Sequence, residues 1–374
     1  MKKHLSYAIA IVCIFSLIFA SVSCAEQAID IPEPEYKGGL FYYNALSAKQ
    51  QDLYMAVKLA ADNFELTSEV IPHAYTTNEW QETYNALIAD NPLIFYLDVT
   101  ACHLSISETS SVATIGYIDT IDGVNEMRTK YLGKINEIYD ILDLDNDELD
   151  DFAKELLIHD WLVGNVTYLV DENSDQAKYA NTSYGAIVEG TALCDGYSYA
   201  FKQLCDMSGI ECSVVYGIGN SRPHAWNLLK IGGQYTYTDL TWDDPDVDFI
   251  SNFVFHGYFN LSYDEISRDH VFDQLSILPE TTNEYNYYII NNLYAQTEEE
   301  FAQLVYENTI RITDEGKDVF EFKTILSDEK IKSIIEDALS KVSQVKKGLL
   351  KPQFRIINAS YVNHAFAVQI FYAE

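Results

Sequence analysis

Two strand-like segments joined by a Gly-Gly pair at 232–233 constrain the fold more than any other feature. HAWNLLKI precedes the two glycines and QYTYTDLTW comes after them. Such a loop is typical of a tight β-hairpin and fixes its register, because Ile231 must then pair with Gln234. In that register His224 and Asp239 share one face as diagonal neighbours, about 7–8 Å apart at Cα. The sequence therefore predicts a His–Asp pair whose side chains can meet.

The same register has two further consequences. It places His224 opposite Thr241 and Trp226 opposite Asp239. A loop one residue longer or shorter would put the histidine and the aspartate on different faces, because side chains alternate along a strand. The predicted pair therefore depends on the two-residue turn.

A cysteine at a predicted helix start supplies a third group. In GTALCDGYSYAF the apolar spacing predicts a helix from about Cys194 that ends near Gly209. A helix N-terminus and a neighbouring imidazolium lower the pKa of a thiol from about 8.5 into a range of about 3.5–7.5. We expect Cys194 as the nucleophile, His224 as its base and Asp239 as the group that orients the base. Backbone N–H groups of the first helical turn are expected to hold an oxyanion.

Three longer motifs resemble the transglutaminase-like superfamily in its bacterial extracellular, cysteine peptidase-like branch. They are IHDWLVGNVTY, YGAIVEGTALCDGYSYAFKQLCDMSGIECSVVYG and PHAWNLLKIGGQYTYTDLTWDDP, and YFNLSYDEISRDH is similar to the tail of that branch. The resemblance covers residues 155–272. It implies an α+β protein with a papain-like core, a Cys–His–Asp triad at Cys194, His224 and Asp239, and no metal or other cofactor in its chemistry. The superfamily includes transamidases, peptidases, deamidases and glycan-releasing amidases, so the reaction stays open.

Four segments are predicted along the chain. They are a signal peptide or lipoprotein signal over 1–25, a mixed, helix-rich region over 26–150, the transglutaminase-like catalytic domain over 151–275, and a small α/β domain over 280–374. Within the second segment, residues 93–106 (LIFYLDVTACHLSI) are predicted to form a strand. The last segment shows the order βαβαββ, beginning with NYYIINNLYA, and is expected to serve packing or binding.

Other residues have weaker signals. The motif residues Trp226, Asn227 and Trp242 are tentative substrate-binding or oxyanion residues, with hairpin packing as the equal alternative. The acids Asp243, Asp244, Asp246 and Asp248 are interpreted as a solvated loop rather than a cation site, and the acids of LDLDNDELDD are expected to cap a helix rather than bind calcium. We predict a packed His159, a core Cys205 and no chemical role for His103. No Cys/His spacing indicates zinc.

The N-terminus MKKHLSYAIAIVCIFSLIFASVSCAEQ predicts export, because two lysines precede an apolar run and small residues. Cleavage at the small-x-small site Ser23-Cys24-Ala25, lipidation of Cys24 and a retained anchor are three alternatives, and all predict a secreted or cell-surface protein. The formal net charge of −33 disfavours nucleic acid and anionic membranes as partners. We expect a peptide or protein substrate, and a cell-wall-associated substrate is one option.

These expectations combine into extracellular, thiol-dependent acyl transfer or hydrolysis on peptide or carboxamide bonds through a thioester. Hydrolysis is favoured over transamidation, because no feature of the sequence identifies a site for a second amine substrate. The alternative is a non-catalytic surface binding or scaffold protein with the same fold. A Cys194 sulfur that lies out of reach of His224 and away from solvent would favour that alternative.

Overall fold

The structure is a computed structural model that describes residues 39–171, 173–244, 253–273, 277–346, 350–360 and 362–372. The described residues belong to one compact unit. The predicted signal with Cys24, and the acids Asp246 and Asp248, lie outside them. Within the described part of the chain, no helix has both the length and the apolar composition that a membrane crossing requires.

The first region combines helices with a small hairpin. Its elements are α1 (Phe41–Ala45), α2 (Ala48–Asp62), α3 (Thr77–Asp90), β1 (His103–Ile106), β2 (Ser111–Thr114) and α4 (Ile121–Ile141). The predicted capping box at Ser47 is present at the start of α2. The strand prediction over 93–106 is wrong except for β1, because Pro92 opens a 3₁₀ turn and the Asp98 carboxylate accepts a hydrogen bond from the Thr100 backbone.

The central region contains an antiparallel four-stranded sheet in the order β7-β6-β5-β8 and a short parallel pair, β3-β4. Its elements are α5 (Asp151–Asn165), β3 (Thr167–Tyr168), β4 (Thr191–Ala192), α6 (Cys194–Met207), β5 (Glu211–Gly219), β6 (Arg222–Ile231), β7 (Gln234–Thr238), α7 (Tyr263–Ile266) and β8 (His270–Phe272). As predicted, an acid of LDLDNDELDD, Asp150, caps α5 by accepting a hydrogen bond from Ala153 N.

Helix α6 is the centre of the largest hydrophobic core. The inner-face side chains predicted from the sequence have no exposed surface, namely Tyr197, Ala200, Phe201, Leu204 and Cys205. Side chains from residue 42 to residue 240 contribute to the same core. The first region therefore packs directly on the helix that carries Cys194, while the exact domain boundaries stay predictions.

The hairpin register is confirmed, since Ile231 pairs with Gln234 and Asn227 with Thr238. Strand β7 ends at Thr238, however, so the expected position of His224 opposite Thr241 is wrong. The cause is local, because the Asp239 carboxylate accepts hydrogen bonds from two backbone N–H groups just downstream and closes a turn.

The last region is a small α/β unit whose sheet has the order β11-β12-β10-β9, with β9 parallel to β10. Its elements are α8 (Tyr287–Ile290), β9 (Tyr294–Ala295), α9 (Glu298–Glu315), β10 (Val319–Thr324), α10 (Asp328–Val345), β11 (Leu350–Ser360) and β12 (Ala365–Tyr372). The predicted order βαβαββ is confirmed. The strand expected over 286–295 is limited to β9, because the Asn286 side chain caps Tyr288 N and starts α8 instead.

Candidate active site

The half-buried Cys194 is the first residue of α6. The residue before it, Leu193, donates its N–H to Ala180 O at 2.8 Å and provides no side-chain cap for the helix. The same carbonyl oxygen leaves no room for a side chain at Gly196, because a Cβ at this position would lie 2.4 Å from the oxygen. The backbone near residue 180 thus packs tightly on the first turn. The thiol lies at the positive end of the helix dipole, next to N–H groups that no side chain caps.

The predicted His–Asp contact is present. His224, on β6, places Nε2 2.7 Å from Asp239 Oδ2, just after β7. The other carboxylate oxygen, Oδ1, accepts the N–H groups of Thr241 at 3.0 Å and Trp242 at 3.3 Å. The backbone therefore fixes the carboxylate, and the carboxylate fixes the imidazole. Both side chains are buried, with 8% of His224 and 1% of Asp239 exposed.

The electrostatics favour an imidazolium at His224. Burial disfavours its charged form, but the Asp239 charge and hydrogen bond outweigh burial, and a hydrogen bond with Cys194 adds to them, which raises the pKa of His224 to about 10. Burial acts against ionisation of Asp239 as well, yet the neighbouring histidines hold the pKa of its carboxyl well below the usual range. Because Nε2 is bound to Asp239, Nδ1 is the ring nitrogen available to the thiol. Cys194 is only half-buried, so it is not closed off from solvent in the way that would favour a non-catalytic protein.

A second histidine contacts the same carboxylate. His270, the first residue of β8, places Nε2 3.1 Å from Asp239 Oδ2 and Nδ1 2.7 Å from Asp269 Oδ1. It is buried, and the pairing of Gly219 with His270 brings it to the site. The sequence did not reveal this residue. Its only local signal is the DH at the end of YFNLSYDEISRDH, and that motif does not indicate that β8 pairs with β5.

The three tentative motif residues have different surroundings. The Trp242 ring stacks on His224 at 5.4 Å between centroids and stays partly exposed, so it shields one side of the imidazole. Trp226 has no exposed surface and packs against Phe272. Asn227 lies on the opposite face of β6 from His224, where its amide donates to Ser198 O of α6 at 3.0 Å. The structure thus places Trp226 and Asn227 in the packing of the hairpin.

The solvated-loop interpretation of the acids after β7 is wrong for Asp243. This side chain is fully buried, accepts the Tyr258 N–H at 2.9 Å through Oδ1, and places Oδ2 3.3 Å from His159 Nε2. Asp244 accepts a hydrogen bond from the Tyr197 hydroxyl. His159 is buried as expected, but its ring nitrogens contact carboxylates rather than apolar side chains alone.

A cleft of ≈ 840 Å³ lies next to the start of α6. Asp195 and Tyr199 of α6 and Tyr216 of β5 line one side of it, while Ile88 and Phe95 of the first region line another. The hydroxyls of Tyr199 and Tyr216 are 2.6 Å apart. The first region therefore contributes a wall to this cleft, whose lining includes Asp195, the neighbour of Cys194, but neither Cys194 nor His224. The sequence did not reveal this contribution.

Comparisons with known proteins agree with this geometry. The model of the transglutaminase-like superfamily matches residues 142–240, the segment that contains Cys194, His224 and Asp239. Residues 142–240 of the chain therefore form a transglutaminase-like segment. The resemblance stated from the motifs is confirmed, and so is the α+β class of the transglutaminase-like protein.

Two curated relatives share the transglutaminase-like segment. Kyphoscoliosis peptidase from Homo sapiens is 24% identical over 178 residues, which cover 42% of this chain and 26% of the relative. Kyphoscoliosis peptidase from Mus musculus is 23% identical over 184 residues, which cover 44% of this chain and 27% of the relative. The chain therefore spans about a quarter of the length of these relatives.

Two solved structures overlap with the chain in part. The crystal structure of a TGase has a TM-score of 0.27 and 13% identity, and the match covers 47% of this chain and 50% of that one. A chain from Cytophaga hutchinsonii, assigned as a cysteine protease, has a TM-score of 0.24 and 19% identity, covering 36% and 51%. Both TM-scores are low, so neither superposition supports a function for this chain.

Proposed function

We propose that the protein is a thiol-dependent hydrolase of peptide or carboxamide bonds, with Cys194 as its nucleophile. The observation that carries the proposal is the 2.7 Å contact of the His224 imidazole with the Asp239 carboxylate, together with the half-buried Cys194, whose interaction with His224 contributes to the raised pKa of the imidazole. The match of residues 142–240 to the transglutaminase-like superfamily supports thiol-dependent acyl transfer or hydrolysis in general.

The proposed reaction has two stages. The Cys194 thiolate attacks the carbonyl carbon, and the electron pair of the C=O bond moves to oxygen, where N–H groups of the first α6 turn stabilise the negative charge. Collapse breaks the C–N bond, and His224 gives its proton to the departing amine or ammonia. The resulting thioester is attacked by water, whose proton goes to His224, and the thiolate then leaves. Asp239 keeps the imidazole oriented throughout.

The cleft next to α6 is the proposed substrate site. Three acids are among its lining residues, Glu82, Asp195 and Asp273, and they favour a neutral or cationic segment of polypeptide. The predicted export signal would place this reaction outside the cytoplasm, on a peptide or protein substrate, and cell-wall material is one substrate class to screen. Hydrolysis is proposed over transamidation because the sequence identifies no site for a second amine.

The first test is the pH dependence of Cys194 alkylation by iodoacetamide, measured by mass spectrometry of the Cys194 peptide. The wild type should react well below pH ~8.5, the ordinary pKa of a thiol, and His224→Ala should lose this reactivity. The buried thiols Cys102, Cys205 and Cys212 are internal controls for unfolding. An ordinary thiol profile at Cys194 in both proteins would sink the proposal. A positive result justifies screening peptides, with and without added primary amines, to separate hydrolysis from transamidation.

A further inference from the structure

A second group of histidines and carboxylates lies outside the triad. We define the interdomain cluster as His159, Asp160, Asp243, His256 and Glu321. Helix α5 supplies His159 and Asp160, the turn after β7 supplies Asp243, and β10 of the C-terminal sheet supplies Glu321. The two imidazoles are buried, with 0% and 6% exposed, whereas 43% of the Asp160 side chain is exposed.

Three donor atoms of the cluster converge. Asp160 Oδ1 is 3.0 Å from His159 Nδ1 and 2.9 Å from His256 Nε2. His159, Asp160 and His256 each offer a ligand atom, and these atoms lie within 4.8 Å of one another. Donor atoms bound at about 2.0–2.1 Å around a tetrahedral zinc ion lie about 3.3 Å apart. The two nitrogen–oxygen separations are a few tenths of an ångström shorter than that spacing, and the two nitrogens lie within 4.8 Å of each other.

Both imidazoles also contact a carboxylate with their outer nitrogen. His159 Nε2 is 3.3 Å from Asp243 Oδ2, and His256 Nδ1 is 2.7 Å from Glu321 Oε2. Metal-bound histidines almost always donate the other ring N–H to a carboxylate, a carbonyl or water, and this arrangement orients the ring. The Glu321 carboxylate is itself held by the backbone N–H of His256 at 3.0 Å and the Tyr288 hydroxyl at 2.8 Å.

The hydrogen-bond count admits two occupants. A neutral imidazole has one N–H, so it can donate to one carboxylate only. Since His159 and His256 each contact carboxylates at both nitrogens, each ring needs either a further proton, on the ring or on a carboxylate partner, or a cation in place of the inner proton. If both rings were imidazolium, their centroids would be 5.2 Å apart. One divalent cation that displaces two protons leaves the net charge of this buried cluster unchanged. The cation also removes the repulsion between two neighbouring imidazolium rings.

We propose that His159, Asp160 and His256 bind one first-row divalent cation, with Zn²⁺ as the best match to two imidazoles and a carboxylate. The exposed side of Asp160 leaves room for water as a further ligand. The site is structural, because His256 and Glu321 join it to the C-terminal sheet and Asp243 joins it to the turn that carries Asp239. The proposal differs from the sequence expectation of no metal, which rested on Cys/His spacing and, for the chemistry, on the family resemblance.

The test uses the full, tag-free chain after dialysis against EDTA. CoCl₂ is titrated while visible absorption is recorded, ZnCl₂ is used in competition, and native mass spectrometry gives the stoichiometry. We expect one ion per chain and a visible d–d band in the wild type. Asp160→Asn and His256→Gln should abolish the band, and Glu321→Gln should weaken Zn²⁺ binding about 10–100-fold, as expected for an outer partner. The matched control is His73→Gln, a partly exposed histidine 3.1 Å from Asp52, which should bind as the wild type does.

The outcomes separate this site from the triad. Absence of a bound ion in the wild type, or unchanged binding in both Asp160→Asn and His256→Gln, would overturn the proposal. His224, Asp239 and His270 also offer three donor atoms and are an alternative cation site. Cation binding that blocks Cys194 alkylation and is lost in His270→Gln would place the ion there and would overturn the proposal too. If His256→Gln does not fold, cation binding by Asp160→Asn decides, because the Asp160 side chain is half-exposed. A melting curve of Asp160→Asn without cation checks that this variant is folded. Failure of the alkylation test leaves this result unaffected.

Discussion

Two buried histidine–carboxylate clusters in this molecule have similar composition and different neighbours. At the candidate triad, His224 and His270 share one oxygen of Asp239, and the half-buried thiol of Cys194 interacts with His224. In the interdomain cluster, two histidines share one oxygen of Asp160, and their outer nitrogens contact Asp243 and Glu321. The two clusters therefore differ in the thiol beside His224. The proposed proton transfer depends on this thiol, whereas the proposed cation site depends on carboxylates at both nitrogens of two rings.

The largest expected effect breaks the triad only. Cys194→Ser should reduce hydrolysis of any identified substrate by at least about 10⁴-fold, because the nucleophile acts as a unit with its base. Cation binding at the interdomain cluster should stay as in the wild type. Steady-state kinetics and the CoCl₂ titration check the two halves. Retained hydrolysis would mean that Cys194 is not the nucleophile.

The converse change breaks the interdomain cluster only. Glu321→Gln removes a buried charge that faces His256, and we expect a loss of about 3 kcal/mol in the free energy of unfolding. The alkylation profile of Cys194 should not change at temperatures below unfolding. Chemical denaturation measures the first quantity and peptide mass spectrometry the second. A shifted alkylation profile would show that the two clusters are coupled through the turn that contains Asp243.

The pH dependence of stability sharpens the view of the triad. The folded-state pKa of His224, about 10, lies above its ordinary value of 6.5. Its contribution to stability is therefore fully present below about pH 6.5 and is lost as the pH rises through about 10. Relative to His224→Gln, the wild type should gain up to about 5 kcal/mol at the lower pH and little at the upper one. Urea denaturation of both proteins across this window checks the sign.

A smaller effect is expected at the histidine that the sequence did not reveal. His270→Gln keeps a hydrogen-bond donor near Asp239 but removes the contact with Asp269. If His270 positions Asp239, kcat/KM should fall by less than about tenfold. A change in the pH profile of kcat/KM would separate positioning from a general loss of fold. His270→Ala, which leaves no donor, should fall further. Equal losses in both variants would argue against the hydrogen bond as the cause.

The smallest effect concerns the cleft. Asp273 is exposed and lines the cleft, so Asp273→Asn should leave stability within about 0.5 kcal/mol of the wild type. For cationic peptides kcat/KM should fall a few-fold, and the fall should shrink as salt is raised, because an exposed charge is screened. Neutral peptides serve as the control. An equal loss with neutral peptides would contradict the electrostatic account.

Several elements arose from local rules. The Gly-Gly loop fixed the register of β6 and β7, which brought His224 to Asp239. The apolar spacing after Cys194 located α6, and capping signals at Ser47 and Thr297 located α2 and α9. The strand predictions at 93–106 and 286–295 were wrong where the side chain of Asp98 or Asn286 accepts a hydrogen bond from a nearby backbone N–H and starts a turn. Apolar runs alone do not reveal such competition.

The sequence by itself thus indicated the transglutaminase-like resemblance and the α+β class through its motifs. It also predicted the His224–Asp239 contact and the place of Cys194 at a helix start, because these depend on contacts within a helix or across one short hairpin. Only the tertiary structure placed His270 on Asp239, put a wall of the cleft in the first region and joined His159 and Asp160 to His256 and Glu321. These contacts join segments far apart in the chain. Their geometry depends on how whole sheets and helices pack, and that packing leaves no fixed spacing in the sequence.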